Sequence, residues 1–153
     1  MKILFFMEDY YLGGVDTFVI NLINSWPDNS DTITLICNYR HSGLGLLSTA
    51  IKRPFNLIKH KLLIFTGFFE LKSNKKFCDK VLRLILKISS PWLRYVLLGI
   101  NIFFLGKLFV KSQADRLIII NGGYPGGDSC RAASIAWGIF QKKPYSIHSI
   151  HGI

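Results

Sequence analysis

KILFFMEDYYLGGVDTFVINLINSWPDNSDTITLIC, residues 2–37, carries the pattern that decides the fold class. Lys2 to Met7 is an apolar run of the kind used by a strand buried on both faces. Glu8 to Gly14 is the loop that follows it. Val15, Phe18, Val19, Leu22, Ile23 and Trp26 then recur at i, i+3, i+4, i+7, i+8 and i+11, one face of a helix. Pro27 and the polar residues up to Asp31 end that helix. Thr32 to Cys37 is rich in β-branched residues and reads as a second strand. Parallel strands joined by a helix need a right-handed crossover. The expectation is therefore an α/β fold: an open parallel sheet in three layers, with helices on both faces.

Outward from this unit, Arg116 to Ile120 reads as a third strand and leads into NGGYPGG, residues 121–127. Asp128 or Ser129 is suited to cap the helix that follows. Ala132, Ala133, Ile135, Ala136, Ile139 and Phe140 give that helix a small-residue face able to lie close to a sheet. Gln141 to Pro144 is the exit turn, and Tyr145 to Ile150 is a fourth strand. Strand, glycine-rich turn and helix is an arrangement in which backbone N–H groups can face an anionic or hydroxylated ligand. It is equally the arrangement of a tight turn that only joins two elements, and spacing leaves both readings open.

The formal charge of +10 is unevenly spread. Residues 40–111 hold 14 of the 19 Lys and Arg and only two acids, Glu70 and Asp79. The rest of the chain is slightly acidic and has the composition of a globular domain. The middle reads as a basic, apolar, helical insertion. Leu46 to Ile51 fits a short helix. Phe77 to Ile88 carries Lys80, Arg83 and Lys87 at helical spacing, and Pro91 fits the start of a last helix running to about Val110. The bases alternate with large apolar blocks rather than with polar residues, which favours an anionic membrane surface over nucleic acid as the partner. The uncharged core of the last helix, Tyr95 to Gly106, is 12 residues. About 20 are needed to cross a bilayer. A buried or interfacial helix is expected rather than a span.

Cys37, Cys78 and Cys130 are far apart, form no CxxC pair and sit in apolar patterns, so they read as buried thiols of a reducing compartment. The N-terminal apolar run is too short for a signal peptide and lacks a cleavage site.

Among the chemistry-bearing residues, the first βα loop holds Gly13, Gly14, Val15 and Asp16. Glycines there let a ligand approach the backbone beside a helix N-terminus. The loop lacks GxGxxG, which disfavours a dinucleotide site, and lacks GxxxxGK[ST], which excludes a P-loop. His148 and His151 are three apart on a strand and so point to opposite faces, which argues against a shared metal. His151, past the strand, suits hydrogen bonding to a polar substrate or a packed surface role. Arg131, one turn into its helix, suits a phosphate or carboxylate, or plain solvent. No Ser/His/Asp or Cys/His arrangement is legible.

KILFFMEDYYLGGVDTFVINLINSW at 2–26, NGGYPGGDSCRAASIAWG at 121–138 and KPYSIHSIHG at 143–152 together resemble the N-terminal domain of retaining GT-B glycosyltransferases of family 4. The resemblance covers residues 1–38 and 115–153; the basic middle matches in position only. It implies the N-terminal half of a GT-B fold, whose Rossmann-like domain binds the acceptor while a second domain binds the nucleotide-sugar. It implies that Gly13 and Gly14 belong to the glycine loop approaching donor phosphates and acceptor. It implies that Asn121, Gly122, Gly123, Tyr124, Gly126 and Gly127 flank the acceptor. His151 matches the histidine that contacts the transferred sugar, the one catalytic assignment. Asp16 and Thr17 depart from the frequent Glu and Arg, which loosens any side-chain role for Asp16 in substrate binding.

The resemblance thus implies a glycosyltransferase that moves a sugar from a nucleotide-sugar donor to a polysaccharide or lipid-linked acceptor. No cofactor or metal is expected. The setting is cell-envelope synthesis, with the protein peripheral on the cytoplasmic face of the plasma membrane. The chain stops just after a strand, so residues 1–153 are expected to be a partial acceptor domain. The nucleotide-sugar domain, with the groups that neutralise the diphosphate, is missing, and a separately encoded C-terminal domain is a candidate partner. The fragment alone is expected to be inactive. Two other classes stay open: a non-catalytic membrane-associated α/β module, and an unrelated nucleotide-dependent α/β enzyme such as an oxidoreductase or kinase.

Overall fold

The computed structural model describes residues 1–62, 77–121 and 127–149. Nine elements follow one another: β1 (Lys2–Glu8), α1 (Gly14–Asn24), β2 (Thr32–Asn38), α2 (Leu44–Ala50), β3 (Phe55–His60), α3 (Phe77–Ser112), β4 (Arg116–Asn121), α4 (Gly127–Phe140) and β5 (Tyr145–Ser149). The five strands form one parallel sheet in the order β3-β2-β1-β4-β5. This is the doubly wound arrangement, in which the chain builds outward from a central β1 in both directions.

Side-chain alternation along β1 divides the core in two. Ile3, Phe5 and Met7 face α1 and α2 and pack with Val19, Ile23, Leu35 and Leu47. Leu4 and Phe6 face the other way, with Leu105, Phe109, Ala132, Ala136 and Trp137 of α3 and α4. Helices therefore cover both faces, as the β1–α1–β2 pattern requires. Each large side chain withdrawn from water contributes about 1.5–3 kcal/mol. Edge-on aromatic pairs close each half: Phe5 with Trp26 at 5.5 Å between centroids, and Phe109 with Trp137 at 5.4 Å. Ala132, Ala133 and Ala136 are fully buried, so the alanines of the expected α4 face lie against the sheet, whereas Ile139 and Phe140 at its end are exposed.

The basic middle differs from its expectation. Residues 55–60 are a strand, not part of a helical insertion. β3 pairs in parallel with β2, from Ile33↔Phe55 to Asn38↔His60. Its sequence, FNLIKH, hides this because an edge strand is paired on one side only and five of its six residues are partly covered or exposed in mixed order. The last helix does not begin at Pro91 either. α3 runs unbroken from Phe77 to Ser112, with Pro91 inside it, where proline removes one backbone hydrogen bond. It is the crossover between β3 and β4 and packs on α4. The basic segment thus supplies an edge strand and a core helix of the sheet.

Both α3 and α4 end on non-glycine residues in the left-handed region. Gln113 has φ 50° and Lys142 has φ 52°. The amide of Gln113 bonds Val110 O at 3.3 Å, and those of Gln141 and Lys142 bond Trp137 O at 2.9 and 3.2 Å.

Candidate functional site

The C-terminal ends of the strands lie along one sheet edge, and each ends on a polar residue: Glu8, Asn38, His60, Asn121 and Ser149. β1 and β4 are neighbours, with Glu8 opposite Asn121. β1 sends its chain to the α1 face and β4 to the α4 face. The chain directions diverge there, leaving the crevice in which open α/β sheets bind ligands.

Gly13 and Gly14 sit on one side of this crevice. Gly13 is the N-cap of α1, with extended backbone. A Cβ added to either glycine would meet no atom within 4 Å. Among the described residues, then, the space directly over both glycines is open. Asn121 closes β4 on the other side, in register with Ser149 of β5. Gly127 opens α4, and Arg131 is exposed one turn further on. Asp128 does not face the crevice alone, because Arg94 of α3 grips it in a two-pronged ion pair at 2.8 and 2.6 Å. The pair raises the Arg94 pKa. Gly122, Gly123, Tyr124, Gly126 and His151 lie outside the described residues.

Asp16 turns inward. It is fully buried. Its Oδ2 accepts the Gly13 N–H at 2.8 Å, and its Oδ1 accepts from His41 Nε2 at 2.6 Å. The carboxylate thus holds the glycine loop from beneath, and one amide that could have met a ligand is already engaged. A Cβ on Gly43 would come within 2.4 Å of His41 Nε2 and 2.6 Å of Asp16 Oδ1, so glycine is what lets this pair close. Ser42 adds two tethers: its N–H bonds Tyr10 O at 3.0 Å, and its Oγ accepts the Leu12 N–H at 2.9 Å. The loops after β1 and β2 are therefore one built unit.

A second buried cluster lies on the opposite face. Asn38 Nδ2 donates to Glu8 Oε1 at 2.6 Å. His60 Nε2 faces Glu8 Oε2 at 3.2 Å, while its Nδ1 accepts the Leu62 N–H at 3.3 Å. The His60 ring stacks on Phe6 at 5.4 Å. Above it, Tyr39 is flanked by Arg40 at 5.3 Å and Lys61 at 5.1 Å from its ring, an exposed cationic rim. His41, Glu8, Asn38 and His60 are absent from the sequence-based candidates. The usable signal was positional: a polar residue that ends an apolar strand at the carboxyl edge.

The open hollow of about 450 Å³ between the starts of β2 and β3 is at the other end of the sheet. Its Arg53 guanidinium is engaged by the carbonyls of Trp26, Asp28 and Asp31, so it is structural. Among the described residues no three His, Cys, Asp or Glu side chains meet as a metal site.

Strand order and helix placement together define a Rossmann-like α/β domain whose switch point lies between β1 and β4. No protein-family profile matches the sequence, and no curated protein matches it at a significant level. Among solved structures, the chain is similar in fold to UDP-GlcNAc 2-epimerase from Neisseria meningitidis bound to UDP-GlcNAc. The TM-score is 0.55 at 14 % identity, over 96 % of this chain and 32 % of that one. The chain therefore spans about a third of the epimerase it matches. The C-terminal domain of a hydrogenase from Pyrococcus furiosus matches with TM-score 0.50 at 13 % identity, over 95 % of this chain and 89 % of that domain. At these identities the likeness is one of fold.

Proposed function

We propose that this chain is the acceptor-side domain of a sugar transferase of the retaining GT-B family 4 type. It works with a second α/β domain on the same or another chain, at the cytoplasmic face of the plasma membrane. The donor is a nucleotide sugar and the acceptor a polysaccharide or lipid-linked glycan. The observation that carries the reading is the open space over Gly13 and Gly14 beside the β1/β4 crevice, with Asn121 across from them. Bare backbone beside a helix N-terminus suits a hydroxyl-rich ligand that must come within hydrogen-bonding distance. Asp16 fits this better than it fits a diphosphate: its buried carboxylate already holds the Gly13 amide and would repel a second anion close by. The diphosphate then belongs to the second domain, whose cationic groups would stabilise the departing nucleotide. His151 would contact the transferred sugar. The fold shared with a nucleotide-sugar epimerase supports the wider class of nucleotide-sugar enzymes.

The test is titration of the labelled 153-residue chain with acceptor glycans, UDP-, GDP- and ADP-sugars, NAD and ATP, followed by amide chemical shifts. Glycans are expected to move the Gly13, Gly14 and Asn121 resonances, donors to bind weakly, and transfer to be absent without the second domain. NAD or ATP binding more tightly than every sugar ligand would replace this reading with an unrelated nucleotide enzyme. Turnover by the chain alone would remove the need for a second domain.

A further inference from the structure

The solvent side of α3 is an aromatic and apolar stripe. Trp92 is 80 % exposed, and Tyr95, Val96, Ile100, Phe103 and Phe104 are each more than a third exposed. They recur at spacings of three and four, so they share one side of the helix. On the other side, Leu105 and Phe109 are fully buried against the sheet and α4. The stripe widens where Phe140 of α4 lies over Gly106, whose added Cβ would sit 2.3 Å from the ring. Exposed Ile139 adjoins Phe140 in sequence. A contiguous apolar surface of this kind marks a docking site on a soluble domain. Its edge is cationic. Lys107 lies 4.3 Å from the Phe103 ring centroid, Lys111 follows one turn on, and α3 carries six bases against one acid.

We propose that this face is a membrane-docking surface. α3 lies in the plane of an anionic bilayer, its aromatic stripe seated at the headgroup boundary and Lys107 and Lys111 against anionic headgroups. Trp92–Ser112 is long and apolar enough to cross a membrane, with mean hydropathy 1.7. A span would strip Leu105 and Phe109 from the core, whereas an in-plane helix keeps them there and uses the face the fold leaves bare. A second copy is a poor occupant, because docking α3 on α3 brings two strongly basic helices together. The inference rests on this surface alone and not on the sugar-transfer reading, since vesicle binding without any nucleotide sugar tests it separately.

The experiment is co-sedimentation of the 153-residue chain with vesicles of phosphatidylcholine, with and without phosphatidylglycerol. It is read together with quenching of tryptophan emission by acyl-brominated lipid. Binding is expected to rise with phosphatidylglycerol. Quenching is expected to vanish in Trp92→Phe with binding kept, since Trp137 is fully buried and Trp26 is half-buried in the core. Phe103→Ser/Phe104→Ser should lower partitioning by about tenfold or more. Lys107→Gln/Lys111→Gln should lower it about tenfold on anionic vesicles only. Circular dichroism confirms that these surface variants fold. Full binding by the phenylalanine variant, or quenching that survives Trp92→Phe, would overturn the proposal. So would a wild-type dimer that ignores vesicles and that the phenylalanine variant converts to monomer.

Discussion

His41 donates through Nε2 to Asp16 Oδ1 at 2.6 Å, across 25 residues of sequence and with both side chains fully shielded from solvent. The bond joins the loop after β2 to the first turn of α1 and so holds the glycine loop in place. His41→Ala leaves the carboxylate with the Gly13 amide and no second partner. Removing one member of a buried pair costs about 3 kcal/mol. Gly43→Ala drives a methyl into the pair and should cost about 2 kcal/mol or more. In the double variant the clash with the imidazole is gone and only that with Asp16 Oδ1 remains, so its cost should fall short of the sum of the two single variants. Urea denaturation of the four proteins gives the cycle, and simple additivity would show that the two residues do not share this site.

The helix ends offer a gain. A non-glycine residue in the left-handed region pays about 1 kcal/mol or more that glycine does not. The greater freedom of glycine in the unfolded chain returns part of that. Gln113→Gly and Lys142→Gly should each stabilise by about 0.5–1 kcal/mol, a rise of a few degrees at most in Tm. Both side chains are exposed, so packing does not oppose the change. A fall in Tm for both would mean that these residues make contacts worth more than the backbone strain.

Three carboxylates near the starts of β1 and β2 contribute to the acid limb. Asp31 accepts from the Met1 ammonium and, at 2.9 Å, from Trp26 Nε1, and its pKa lies below the ordinary 3.8. Asp115 is lowered chiefly by the Lys2 N–H, and Asp28 by Ser30. Each folded value is below the unfolded one, so the native state holds fewer protons. The stabilisation is complete above about pH 4 and is lost as pH falls through the depressed values. The Met1 ammonium, raised above 8.0 by Asp31, acts in the opposite direction. Its contribution is complete below pH 8 and fades as pH rises through the raised value. Denaturation midpoints should be level between these limits, and Asp31→Asn should show shallower losses at both ends. An acid limb of unchanged slope in Asp31→Asn would assign the acid loss to other groups.

Burial pushes the thiols of Cys37 and Cys130 up to about 12, with Glu8 adding to both. Neither offers thiolate near neutral pH, and both sit in the core. In a Cys78→Ser background, Ellman's reagent at pH 8 should release no colour from the native protein and two equivalents once denaturant is added. Rapid labelling without denaturant would mean that the sheet opens locally at β2 or α4.

The elements read from sequence were those with strong periodicity and two-sided burial. β1 ends in six consecutive buried residues, and its apolar run could hardly be anything else. α1 showed an unbroken helical stripe because one side of it packs and the other does not. β3 was missed because FNLIKH, at the edge, has neither signature. The break placed at Pro91 followed a local preference that the long core-packed helix overrides. In the crevice, Gly13 and Gly14 were legible as glycines before a helix. The loop's actual support, Asp16 on His41 with Gly43 making room, is not local, since its members meet only through the pairing of β1 with β2.

The sequence by itself determined that the fold is a parallel α/β sheet and which end of it bears the glycine loop. Both follow from short-range rules: strand period, helix period and turn chemistry over about ten residues at a time. Only the tertiary structure decided the strand order, the role of the basic middle and the use of α3. A helix apolar on every side carries no periodic signal for which side is covered. The sheet and α4 take Leu105 and Phe109, and what they leave uncovered, from Trp92 to Phe104, becomes the outer surface.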